Sequence, residues 1–246
     1  MKFSVIFVAA ALVAGIGLSG HSQQSGTTNA AQKKEQIESH LFTGRMSQTI
    51  PERLAKTTGN LFLREDSLTE PPVGPLNPPP YPPYQLVGMA CTSDAVVVGT
   101  ALSRDSHLTA DQTFLYSDWA FTANEVLKNN AKAPISEGSG ITIVRQGGKL
   151  DFNGRKVYAI DNSFAEFQSG HHYLLFLTFL PEAGDYTTTY LNVFQLLPQS
   201  KVGHLSKVSM YPKLEGKGAD ALLQDTRAAV LTAAENPYCT GGAKQP

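Results

Sequence analysis

The chain has 246 residues, room for one or two domains, and 41% of them are hydrophobic, enough for a core. Twenty Lys and Arg against 21 Asp and Glu leave a formal charge of −1. That balance excludes the basic footprint of a nucleic-acid binder or of a protein drawn to an anionic membrane.

The first 22 residues read as a secretory signal peptide. Met1-Lys2 is a short positive start, Phe3 to Leu18 is an unbroken run of apolar and small residues, and Ser19, Gly20 and Ser22 suit a cleavage site. The run is shorter than the roughly 20 residues of a spanning helix, so no membrane span is expected after cleavage. The expected location is therefore periplasmic or secreted. Gly15-Ile16-Gly17-Leu18-Ser19-Gly20 matches the dinucleotide fingerprint in letters only, because no strand–helix unit surrounds it.

Residues 23–70 are polar with scattered apolar clusters, and a flexible segment with short, marginal helices is predicted there. Pro51 suits the first turn of a helix beginning after Thr49. Residues 71–83 hold eight prolines and read as a polyproline II spacer of roughly 40 Å. Pro78-Pro79-Pro80-Tyr81 also fits a WW-domain ligand, a cytosolic partner that an exported chain seldom meets. The spacer marks the boundary of a folded domain over residues 84–246.

Within that domain the apolar runs are short and β-rich. Residues 95–101 are β-branched, with Gly99 marking a bulge or bend. Residues 113–127 read as one long bent strand or as two, with Leu115, Trp119, Phe121 and Ala123 on one face. Residues 141–145 alternate, and Gly147-Gly148 permits a reversal. Asn153-Gly154 supplies the two positive φ angles of a type I′ hairpin. The central strand is His171–Leu180, apolar on both faces and bounded by Gly170 and Pro181. A strand over residues 186–197 follows, and residues 202–210 offer one more. Residues 219–234 form an amphipathic helix with Leu222, Leu223, Thr226, Val230 and Ala233 on its stripe. The pattern is mainly β: an antiparallel barrel or sandwich with a C-terminal helix.

The order of segments carries a resemblance. Ala95-Val96-Val97-Val98-Gly99-Thr100 comes first, then residues 116–128 ending Glu125-Val126-Leu127-Lys128. Residues 141–145 with Gly147-Gly148 and then residues 170–177 complete it. Over roughly residues 90–197 this resembles the netrin-like, OB-type barrel domains of tissue inhibitors of metalloproteinases, and more closely a class of exported bacterial proteins with that layout. The resemblance implies an OB-like barrel that binds proteins rather than catalyses. Those inhibitors chelate zinc through an N-terminal Cys; here Cys91 follows a long segment, so that inhibitory site is not carried over.

The two cysteines, Cys91 and Cys239, are most simply one disulfide in an oxidising compartment. The alternatives are two buried thiols or a reactive Cys. The common motifs for serine hydrolysis, zinc proteolysis, nucleotide binding and EF-hand calcium binding are missing, and no metal or cofactor is expected. The residues singled out for ligand binding are His171, His172, Trp119, Tyr186 and Tyr190. The aromatics, with Phe114 and Tyr116, read first as core or sheet-face packing; the other reading is an exposed face of the kind OB barrels use. The neighbouring histidines would point to opposite faces of a strand. Asp161, Glu166 and Asp185 read as loop carboxylates.

The function expected is an exported, non-catalytic binding module recognising a protein or another extracytoplasmic ligand. Two alternatives stand beside it. One is a structural or envelope-assembly protein working through the Pro-rich segment. The other is a hydrolase with an unrecognised site among His171, His172, Asp161 and Asp185.

Overall fold

The computed structural model describes residues 24–65, 85–197, 201–204 and 217–239. The expected leader and Pro-rich spacer lie outside the described residues, as does most of the strand expected over 202–210. The chain is described from helix α1 (Gln24–His40) onward, followed by helix α2 (Ile50–Lys56) and strand β1 (Leu61–Glu65). The start of α2 follows from its sequence. The Thr49 hydroxyl accepts from the Glu52 amide, and the Glu52 carboxylate accepts from the Thr49 amide, a reciprocal capping box with Pro51 in the first turn.

Residues 50–63, within the segment expected to be flexible, are packed into the core. Ile50, Leu54, Leu61 and Leu63 are buried in one cluster with Phe114, Leu115, Val157 and Ala159. The Arg155 guanidinium adds a polar tie, donating to the carbonyls of Leu54, Thr57 and Gly59. The folded unit therefore begins well before residue 84. The apolar partners lie 50 or more positions further along the chain, so a local reading sees only marginal helices.

The remaining elements are α3 (Leu86–Thr92), β2 (Ala95–Leu108), β3 (Leu115–Lys128), β4 (Gly140–Gln146), β5 (Gly148–Phe152), β6 (Arg155–Asp161), β7 (His172–Leu180), β8 (Asp185–Thr187), β9 (Val193–Leu197), β10 (Lys201–His204) and α4 (Ala219–Glu235). A small sheet runs β1-β6-β5, with β1 parallel to β6. Asn153 and Gly154, at φ 52° and 75°, make the predicted β5–β6 hairpin turn. The large sheet runs β10-β9-β7-β2-β3-β4-β8. A further pairing of β8 with β7 brings the order back on itself, so β7, β2, β3, β4 and β8 form a partial ring. The β4–β8 contact in that ring is parallel. The molecule is mainly β, with a C-terminal helix.

Residues 115–128 are one strand rather than two. The register shift at Gly99 is present, and the unpaired residue is Asn124 on the facing strand. Gly99 permits the approach: a Cβ there would lie 3.2 Å from the Thr122 carbonyl oxygen. The single strand expected over 186–197 is broken. Thr178 faces Thr187 and Leu175 faces Val193, so three steps along β7 meet six along its partner. The excess turns out over residues 188–192, which frees β8 to reach β4 while β9 pairs with β10.

β7 is buried on both faces, as its sequence predicts. Tyr173, Leu175 and Leu177 join Trp119, Phe121 and Phe167 inside the ring. Leu174 and Phe176 face the other way, toward Met89 of α3 and Leu222 and Ala233 of α4. Cys91 and Cys239 form a disulfide beside this second cluster. Among the described residues, no helix is long and apolar enough to cross a membrane.

Candidate functional site

The five residues expected to bind a ligand are not brought together. Trp119 lies inside the ring, 5% exposed, with its ring edge-to-face against Phe167. Tyr186 is 4% exposed; its hydroxyl donates to the Ala133 carbonyl at 2.8 Å and accepts from the Asn130 amide. Tyr190 is half-buried against the same core. Phe114 and Tyr116 are fully buried. Of the two readings of these aromatics, core packing is the one the structure shows for Trp119, Tyr186, Phe114 and Tyr116. Trp119, Phe121 and Ala123 alternate along β3, and that parity points inward.

The histidines also separate. His171 Nδ1 lies 2.6 Å from Gln195 Nε2, whereas His172 Nδ1 lies 3.0 Å from Thr100 Oγ1, which donates to Asn124. Asp161 accepts from Gln146 Nε2 and from the backbone amides of Ser163 and Phe164. Asp185 pairs with Leu180 at the far end of β7 from His172, roughly 26 Å away at the usual strand rise. The four residues of the hydrolase reading share no site.

A different constellation is assembled on the outer side of β3 and β8, where α1 crosses. Lys34 Nζ lies 2.7 Å from Asp185 Oδ2, 3.9 Å from Asp118 Oδ2 and 3.7 Å from Glu38 Oε1. His107 of β2 is 3.8 Å from both Asp118 and Glu35. The Tyr116 hydroxyl donates to the Glu35 carbonyl at 3.2 Å, and its ring stacks on Phe42 and His107. Glu38 is 1% exposed. Burial, a hydrogen bond to Asp185 and the charge of Asp118 push its carboxyl up to about 9, so it is neutral at pH 7. Burial also raises the Asp118 carboxyl. Burial alone would lower the Lys34 ammonium; the hydrogen bond and charge of Asp185 outweigh it, and the net shift is upward.

Sequence reasoning missed this group. Lys34 and Glu38 lie in a polar helix, Asp185 reads as a turn residue, and the partners are far apart in the chain. One signal was present. Asp118 is the only charged residue between Leu115 and Phe121, in the middle of a buried strand. Such a charge asks for a partner.

A second polar group lies at one end of the ring. Arg145, 4% exposed, donates to the carbonyls of Ala165 and Phe164, and its guanidinium lies 3.7 Å from the centroid of the Phe164 ring. Burial lowers its pKa to about 10, which leaves it charged. Arg104, Arg145, Asp161 and Glu166 border a small cavity with room for about one water. Among the described residues, no group of three or more His, Cys, Asp or Glu is placed to hold a metal. Compared with known proteins, the chain matches no family model and no curated relative.

Proposed function

We propose that the chain is an exported, non-catalytic binding module that meets a protein partner on the outer surface of an OB-type, netrin-like barrel. The strand order supports the barrel reading. Three consecutive antiparallel strands, β2, β3 and β4, are followed by β7 against the first and β8 parallel to the third. The disulfide supports an oxidising compartment and hence export.

The observation that carries the binding reading is the filled ring. Trp119, Phe121, Phe167, Tyr173 and Tyr186 occupy its interior. A partner is therefore met on the outside, by a surface rather than a pocket.

The test uses the whole chain, because residues 50–65 share a core with β3 and β6. A photo-crosslinking residue is placed at Asp105, Phe62 or Leu231, each exposed and on a different element. The chain is expressed with its own leader in the source cell. The expected result is a leader-cleaved product in the envelope or medium, with a discrete protein adduct from one position. A cytoplasmic product, or no adduct from any position, overturns the reading.

A further inference from the structure

The seat of α1 differs from that of every other element described. Of its side chains over residues 30–40, only Glu38 and Ser39 are buried, with Lys34 and Ile37 half-buried. None enters the three apolar clusters that hold the strands, α2, α3 and α4. The helix is held by polar contacts: Lys34 against Asp185 and Asp118, and the Glu35 carbonyl against the Tyr116 hydroxyl. Buried ion pairs return little net stability after desolvation, and a 17-residue helix is marginal alone in water. So α1 is seated, but reversibly.

Its fit is also imperfect. Asp118 and Asp185 form a receptor for an ammonium group, and Lys34 supplies one. Four residues on, α1 brings Glu38, a third carboxyl, into the same space. Glu38 Oε1 makes no hydrogen bond although the residue is 1% exposed, and neither does Asp118 Oδ1. Asp105 and Glu35 stand around the rim. A helix with a lysine at the Lys34 position and a cation in place of Glu38 would match this face better than α1 does.

We propose that the Asp118–Asp185 face is a recognition site for a lysine-bearing helix of a protein partner, and that α1 fills it in cis in the free protein. The proposal rests on the binding-module reading and names its surface and the chemistry of its partner. Lys34 is the stand-in for the partner's lysine. Glu38 keeps the cis helix weak enough to be displaced.

The test uses the full chain and two fluorescent peptides. One has the sequence of residues 24–40; the other is the same with Glu38→Lys. Fluorescence anisotropy should show the Glu38→Lys peptide binding more tightly than the native one, and less tightly as salt is raised. Binding is limited by the fraction of protein with α1 unseated. Lys34→Gln in the protein should therefore tighten binding roughly tenfold, while Glu38→Gln, which improves the cis helix, should weaken it. Asp118→Asn and Asp185→Asn should each abolish binding with an unchanged near-ultraviolet spectrum. Asp118→Asn alone decides if Asp185→Asn fails to fold.

Equal binding by wild type and Lys34→Gln overturns the proposal, as does binding indifferent to Asp118→Asn. So does no peptide binding by any variant. A crosslinked partner at Phe62 or Leu231 together with absent peptide binding removes this site and leaves the module. Absence of both removes both.

Discussion

Cys91 and Cys239 join α3 to the residues just beyond α4, with their Cα atoms 4.8 Å apart across 148 positions of sequence. The bond closes a loop containing every strand from β2 to β10 and pins together the two helices that cover Leu174 and Phe176. The interior of the ring is packed independently of it. Replacing both cysteines with alanine should lower stability by about 3–5 kcal/mol on the chain-entropy account, without changing the folded state. Urea unfolding checks this. The midpoint falls, and the m value rises because the unfolded chain is no longer looped. An unchanged midpoint would mean that the unfolded chain is already constrained by other means.

Gly148 and Gly154 both lie at positive φ, 153° and 75°, but in different surroundings. A Cβ at Gly148 would collide with Ser117 Oγ and lie 2.6 Å from Ser106 Oγ, whereas one at Gly154 meets nothing within 4 Å. Gly154→Ala should cost about 1 kcal/mol, for the left-handed backbone alone. Gly148→Ala adds a collision with two hydroxyls that bond each other at 2.9 Å, and should cost about 2–4 kcal/mol. Thermal melts of the two variants decide it; equal losses would show that the β4–β5 junction can open to admit a methyl group.

The parts of the fold readable in the sequence are those whose signal is local. The period of two on both faces of Tyr173–Leu177 gave a strand covered on both sides. Asn153-Gly154 gave a hairpin, and the Leu222–Ala233 stripe gave α4. What was hidden depends on partners distant in the chain. Leu61 and Leu63 form only a five-residue strand until Val157 and Ala159 lie beside them. Helix α3 is seven residues long, too short to show a period. The aromatics are visible in the sequence, but strand parity alone does not say which face is the core, so an exposed face stays open beside core packing for Trp119 and Tyr186. The Lys34–Asp118–Asp185 group draws on three elements and has no spacing to read.

The burial of residues 50–65 makes the front of the chain part of its stability. Leu63 is fully buried among Ile50, Leu54, Phe114 and Val157. Leu63→Ala should destabilise by about 2–4 kcal/mol, as for other fully buried leucines. A chain beginning at residue 85 uncovers Phe114, Leu115 and Val157 together, and should bind a hydrophobic dye and aggregate on concentration. Dye fluorescence and light scattering on the truncated chain check this. A monodisperse, dye-negative fragment would restore residue 84 as a true boundary.

Arg145 gives a test of geometry against charge. Its planar fork reaches two carbonyls at 2.8 Å while its face lies on Phe164. Lysine keeps the charge but has neither the fork nor the plane. Arg145→Lys should therefore leave buried carbonyls unpaired and cost about 2–4 kcal/mol. Arg104→Lys keeps an exposed pair with Glu166 and should change stability by less than about 1 kcal/mol. Denaturant midpoints of the two variants give the comparison, and a small loss at Arg145 would mean that a point charge suffices there.

Glu38 sets the pH dependence. Its carboxyl ordinarily titrates near 4.5 and is pushed up to about 9 in the folded protein by burial, by its bond to Asp185 and by the charge of Asp118. Between those values the folded state holds a proton that the unfolded chain has released, so stability falls as pH rises. The contribution is complete below about 4.5 and lost as pH passes through about 9. Asp118, also raised, acts in the same direction. Lys34, raised above 10.5, stays charged across the window and adds nothing to the slope within it. Thermal melts between about pH 5 and about pH 9 should therefore show a falling midpoint in the wild type and a flatter profile in Glu38→Gln. The divergence should be largest at the alkaline end, where the wild type must either bury a third charge beside Asp118 and Asp185 or release α1. Release would show as faster tryptic cleavage at Lys33, Lys34 and Arg45, and Glu38→Gln should suppress it. Parallel profiles for the two proteins would mean that Glu38 is already ionised at neutral pH and that Lys34 alone balances all three carboxylates.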